Sequence, residues 1–218
     1  MTSPAAILDS VTRARLIARA QRLEYFTVGW NALEALVAVG CGIVAGSIAL
    51  VGFGLDSVIE TFSGMTLLWR LRRDRDLKRR EQAEKTALRL VGVCFILLTV
   101  YVAASATTRV VSHRHPEESR VGIALAAVSL LVMPLLASAK RRVAAAIGSG
   151  ALHADSRQTE ICAWLSAILL GGLLLNAVRG WWWADPLAAL VMAPIIGKEG
   201  LEALRGRSCA CAAPKLKL

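Results

Sequence analysis

The sequence predicts an all-α membrane protein of six transmembrane helices with the N- and C-termini both cytoplasmic. Three observations carry this expectation. The 218-residue chain is 56% hydrophobic, with a mean hydropathy of +0.53, more apolar sequence than a soluble domain of this size can cover with polar surface. The apolar residues fall into six runs, each near the roughly 17–25 residues that a spanning helix needs. Basic residues gather in alternate connections between those runs, which is the asymmetry that orients membrane proteins.

The first run covers about residues 26–45, and a short Gly46-Ser47 link leads to the second, about 48–68. The third covers about 88–110, the fourth about 121–139, and the fifth about 161–177 with a polar N-terminal extension from near Leu152. The sixth covers about 181–196. Arg13, Arg15, Arg19 and Arg22 precede the first run; a basic stretch from Arg70 to Arg89 joins the second to the third; Lys140, Arg141 and Arg142 join the fourth to the fifth; and Lys198, Arg205, Arg207, Lys215 and Lys217 follow the sixth. The opposite connections hold only Arg109, Arg114, Arg120 and Arg179. Positive-inside bias places both termini in the cytoplasm. The expected organisation is a cytoplasmic arm over 1–23, a six-helix membrane domain over 24–204, and a short cytoplasmic tail over 205–218.

The net charge of +10 lies in these connections, so topology explains it and nucleic-acid binding is not expected. The basic, polar N-terminus is not a secretory signal. Cys41, Cys94, Cys162, Cys209 and Cys211 form no disulfide framework. Cys209-Ala210-Cys211 lacks the second pair that a tetrahedral site needs. No Walker, hydrolase or haem-attachment motif is present, so an enzyme is not expected. Trp181, Trp182 and Trp183 beside Asp185-Pro186 read as an interfacial anchor at a helix start. His113 and His115 read as surface-loop residues, with a weak outer metal stop as the alternative. Gly29, Gly40, Gly42, Gly46, Gly52 and Gly54 predict close packing of the first two helices.

Ionisable groups inside spanning helices are costly and point to function. Asp56 and Glu60 are four residues apart and share one helix face. Counted from Ser47, they lie roughly 14 and 20 Å into the membrane at 1.5 Å per residue. Two carboxylates at that depth must hold a cation or share a proton. The second cluster opens the fifth helix, with His153, Asp155, Gln158, Glu160 and Cys162. Counted back from Asn176, Cys162 is roughly 21 Å in, level with Glu60, while Glu160 is roughly 24 Å, Gln158 roughly 27 Å and Asp155 roughly 32 Å in. Depth therefore favours Cys162 and its neighbours; Asp155 suits a helix cap or a cytoplasmic mouth. Glu34, with Asn31, reads as a mouth residue or an interhelical hydrogen bond.

The run Gly46-Ser47-Ile48-Ala49-Leu50 followed by Asp56 and Glu60 resembles the second helix of the cation diffusion facilitator family (cation efflux, zinc transporters), and Ala154-Asp155 and Asp185-Pro186 resemble its fifth- and sixth-helix starts. The resemblance spans about residues 25–204 and implies a cation-efflux-type transmembrane domain in the short branch without a C-terminal cytoplasmic domain. It implies a divalent cation, zinc by preference, held mid-membrane by side chains of helices two and five. It also implies export coupled to proton influx, usually by a homodimer. By position, Asp56 and Glu60 match the helix-two ligands. The family's Ala-Asp-x-x-His/Asp-x-x-x-Asp pattern puts Gln158 and Cys162 on the helix-five positions, a departure that leaves the metal open, with Glu160 competing for the place of Gln158. The expected function is thus a proton-coupled divalent-cation exporter in the plasma membrane, with a bacterial inner membrane suggested by composition. The alternative is a non-transporting metal-binding or scaffold protein of the same fold.

Overall fold

The computed structural model describes residues 4–72, 77–113 and 115–205. They form α1 (Pro4–Ala45), α2 (Ile48–Arg72), α3 (Leu77–Ser112), α4 (Arg120–Ile147), α5 (Gly150–Arg179) and α6 (Ala184–Leu204). Cys209 and Cys211 lie outside the described residues. The expected order of helices is observed, but several helices are longer than their apolar runs. The first continues back to Pro4 without a break at residue 23, and the third takes up much of the basic connection.

The first five helices are long and apolar enough to cross a membrane. Although α6 was expected as the sixth span, it falls outside that class because Asp185, Lys198, Glu199 and Glu202 interrupt its 21 residues. It is nonetheless part of the bundle, packed along α3 and against α5 and α2. The closest partnerships are α1 with α2, α3 with α6, and α4 with α5. The central helix is α2: 61% of its most apolar stretch is buried, against at most 44% for any other spanning helix.

Small residues set the closest approaches. Gly46, with φ of +64°, makes the tight turn between α1 and α2. Of the glycines expected to pack the first two helices, Gly42 and Gly54 do so, each with a Cβ that would meet a backbone nitrogen of the facing helix, of Val51 and Val39, at 2.8 Å; Gly29 and Gly40 face open space, and Gly52 meets Val102 of α3. A second such crossing, at Gly200, was not anticipated. There a Cβ would lie 2.9 Å from Phe95 Cβ and 3.1 Å from the Gly92 carbonyl oxygen, bringing α6 onto α3.

One end of the bundle is stitched by hydrogen bonds. Asp185, opening α6, accepts from the Ser47 hydroxyl and from the Ile48 backbone N–H at 2.9 Å. Its carboxylate thus serves the free N–H groups and the dipole at the start of α2. Asn176 donates to the Pro116 carbonyl at 3.2 Å, and the Glu117 N–H to Ala45 at 2.8 Å. At this end His115 stacks on Trp182 and Trp181 on Trp183.

The other end is held by charge. Lys140 was expected in a cytoplasmic connection; instead α4 runs on to Ile147 and buries Lys140 completely. Its Nζ lies 3.0 Å from Glu24 on α1 and 2.5 Å from Asp155 on α5. Ala20, Leu67, Val143, Ala144 and Leu152 pack as a buried apolar cluster near this triad in sequence, while the Asp155 side chain keeps some exposure. Replacing Lys140 by Met should cost about 3–5 kcal/mol, because two buried carboxylates lose their cation. Chemical unfolding in detergent would show it, and adding Glu24→Gln should recover part of the loss.

Candidate metal centre

Asp56 and Glu60 arise on one face of α2 because they are four residues apart, and Cys162 enters from α5. One ligand atom from each lies within 4.8 Å of the other two, and all three side chains are buried. Among the described residues this is the sole grouping of three His, Cys, Asp or Glu side chains close enough for one metal ion. The depth match between Glu60 and Cys162 thus corresponds to a meeting in space.

The partners of these groups set them apart from the other buried acids. Neither oxygen of the fully buried Asp56 has a hydrogen-bond donor among the described residues. Glu60 accepts one bond, from Asn31 Nδ2 of α1 at 2.9 Å. Glu34, one turn further along α1, accepts from Ser57 of α2 at 2.7 Å and from Ser129 of α4. It makes the interhelical contact its sequence position suggested, and it adds another acid beside Asp56. A buried carboxylate without donors costs several kcal/mol unless a proton or cation neutralises it. Asp56 is where the fold leaves that demand open.

The remaining fifth-helix candidates separate by helical phase. Gln158 is four residues before Cys162, on the same face, and its amide nitrogen is buried without an acceptor. Glu160, two residues from Cys162, points the other way. Its half-exposed side chain pairs with Arg141 of α4 at 2.6 Å, beside a cleft lined by Pro134, Ala137 and Ser138. Asp155 is engaged by Lys140 and does not reach the cluster. The capping role considered for it falls to Ser149, whose hydroxyl accepts from the Leu152 N–H. His113 and His115 pack against Trp182 and join no ligand cluster.

Glu24 was missed in the sequence, as was its role with Lys140. The signal was present: Glu24, Thr27, Asn31 and Glu34 recur at spacings of three and four and form a buried polar stripe on α1.

Residues 26–206 match the family described as the cation efflux transmembrane domain. The chain belongs to the cation efflux family. An uncharacterized transporter of Synechocystis sp., sll1263, is 28% identical over 158 residues, covering 70% of this chain and 51% of that protein. The cation-efflux pump FieF of Shewanella oneidensis is 31% identical over 86 residues, covering 39% of this chain and 29% of that protein. The chain thus spans about half the length of the first of these relatives and less of the second. Family and fold together make the protein a multi-pass membrane protein.

Asn31, itself outside the cluster, holds the Glu60 carboxylate by its hydrogen bond. Replacing it by Ala should weaken zinc affinity about 10–100-fold, the usual cost of removing a partner that holds a ligand in place. Competition titration against a chromophoric chelator measures this; unchanged affinity would mean that Glu60 is positioned by something else.

Proposed function

We propose that this cation-efflux protein carries a divalent metal ion across the membrane in exchange for protons, with zinc as the preferred cargo. The observation that carries the reading is the Asp56, Glu60 and Cys162 cluster, inside 4.8 Å and buried, with Asp56 lacking a donor among the described residues. Carboxylate oxygens and a thiolate are a donor set that zinc accepts in tetrahedral geometry. Gln158, on the same α5 face as Cys162, offers an amide oxygen as the next donor.

The coupling follows from charge. In the absence of metal, buried carboxylates and a buried thiol are neutral when they hold protons. A divalent ion binds the deprotonated forms, so loading expels protons and protonation expels the ion. Metal and protons therefore compete for one set of atoms, and a proton gradient drives the ion in the opposite direction. The asymmetry of basic residues supports cytoplasmic termini, with residues 1–23 and 205–218 on the cytoplasmic side. Bacterial relatives support a bacterial inner membrane, and the family resemblance supports a homodimer. The chemistry called for is binding and release, with no covalent step, which supports a transporter over an enzyme.

The neutral Gln158 favours a second reading, a membrane protein that binds metal without moving it. Proteoliposomes separate the two. Zinc flux should rise with an opposing pH gradient and fall to the level of empty vesicles in the Asp56→Ala, Glu60→Ala double variant. Flux unchanged in that variant would remove the assigned site, and equilibrium binding without flux would favour the second reading. Parallel assays with iron, manganese, cobalt and cadmium rank the cargo.

A further inference from the structure

We propose that Glu199 of α6 is a third carboxylate ligand of the transported ion, closing the site on the side of the Lys140 triad. The inference rests on the metal-site reading above and extends that site to a third helix.

Position comes first. The bond between Ser47 and Asp185 fixes a common origin for α2 and α6, which leave it in the same direction. Glu60 lies 13 residues beyond Ser47, roughly 20 Å along α2, and Glu199 lies 14 residues beyond Asp185, roughly 21 Å along α6. The two acids are therefore level. Direction comes second. Asp185, Ala188, Met192 and Glu199 are spaced three, four and seven apart and share one face of α6. Asp185 on that face bonds α2, while Ala188 abuts α5, where a Cβ on Gly172 would meet its own Cβ at 2.7 Å. The face that meets α3 is a different one, carrying Gly197 and Gly200. Glu199 thus faces the two helices that hold Asp56, Glu60 and Cys162; it stands outside their 4.8 Å grouping, and its long side chain must turn inward to join the ion.

The state of the side chain comes third. Glu199 Oε2 is buried with no hydrogen-bond partner among the described residues, and its charge lies within electrostatic reach of both Asp56 and Glu60. Glu199 is partly buried, so this one oxygen raises a smaller demand than the two of Asp56, and one divalent ion answers both. With Gln158 neutral, Glu199 supplies the anionic oxygen that α5 lacks.

The test uses the full chain in lipid nanodiscs, titrated with Zn²⁺ by chelator competition and with Co²⁺ by visible absorption. Glu199→Gln should weaken zinc affinity by more than about 100-fold, beyond the effect of an outer partner, and should shift the Co²⁺ ligand-field bands. Glu199→Asp, retracted by one methylene, should weaken binding less and also shift the bands. Glu202→Gln, one turn further on an exposed position, should match the unmodified chain. Wild-type zinc affinity and wild-type Co²⁺ bands in Glu199→Gln would overturn the proposal; if that variant does not fold, the same result in Glu199→Asp would do so. The Asp56→Ala, Glu60→Ala variant reports on the underlying site separately. Its binding zinc normally would overturn both readings, whereas lost binding there with normal binding in the Glu199 variants would overturn only this one.

Discussion

The low dielectric of the bundle interior is the constraint on which the rest of this structure depends. Each buried ionisable group must be answered locally, and the fold answers them differently. Asp185 is met by the start of α2 and the Ser47 hydroxyl. Glu34 is met by serines from two helices, and Lys140 by two carboxylates. Asp56 is met by no donor among the described residues. The contrast is more informative than burial alone, since buried acids with donors are part of ordinary helix packing. An acid placed on the most enclosed helix and left without a donor is an arrangement that a cargo ion or a proton completes.

The two ends of the bundle are held by different kinds of bond, and the difference bears on movement. At the Ser47 end, α2 and α6 are tied by bonds from one carboxylate to a helix start, a contact that keeps their relative depth fixed. At the other end, α1, α4 and α5 meet through Glu24, Lys140 and Asp155. An ion triad of this kind is stable while dry and loses much of its attraction once water reaches it, because the interaction scales inversely with the local dielectric. The helices associate most closely as α1 with α2, α3 with α6 and α4 with α5. The site draws its residues from α2 and α5, members of different pairs. Sliding of the α1–α2 pair past the α4–α5 pair therefore changes ligand distances directly.

Much of the bundle and half of the site were legible in the sequence, for reasons of regular geometry. Spacing by four put Asp56 and Glu60 on one face, and a constant rise per residue put Cys162 level with Glu60. Both inferences need only ideal helices. Glu160 was harder because depth says nothing of rotation; two residues from Cys162 is about 200° around the helix, which turns it outward to Arg141. Lys140 was read with Arg141 and Arg142 as one basic cluster. Successive helical residues diverge by about 100°, so the first can face the core while the others face out. Glu24 and Glu199 lay beyond the edges of the apolar runs, where hydropathy marks helix ends although the helices continue. What escaped the sequence was thus rotation and helix extent, both of which depend on partners from other helices.

The composition of the site also sets its stoichiometry. Suppose that the ion is held by Asp56, Glu60 and the Cys162 thiolate, with Gln158 neutral. The loaded site then carries one more negative charge than a divalent ion cancels, and a low-dielectric interior penalises that excess. With Glu199 added, the excess becomes two unless some of these groups keep their protons while the ion is bound. A carboxylic acid that stays protonated can still donate to a neighbouring carboxylate, so the site reaches neutrality with the ion and two shared protons. If metal and protons exchange at this site as proposed, neutrality calls for two protons per divalent ion, whatever the number of acids around it.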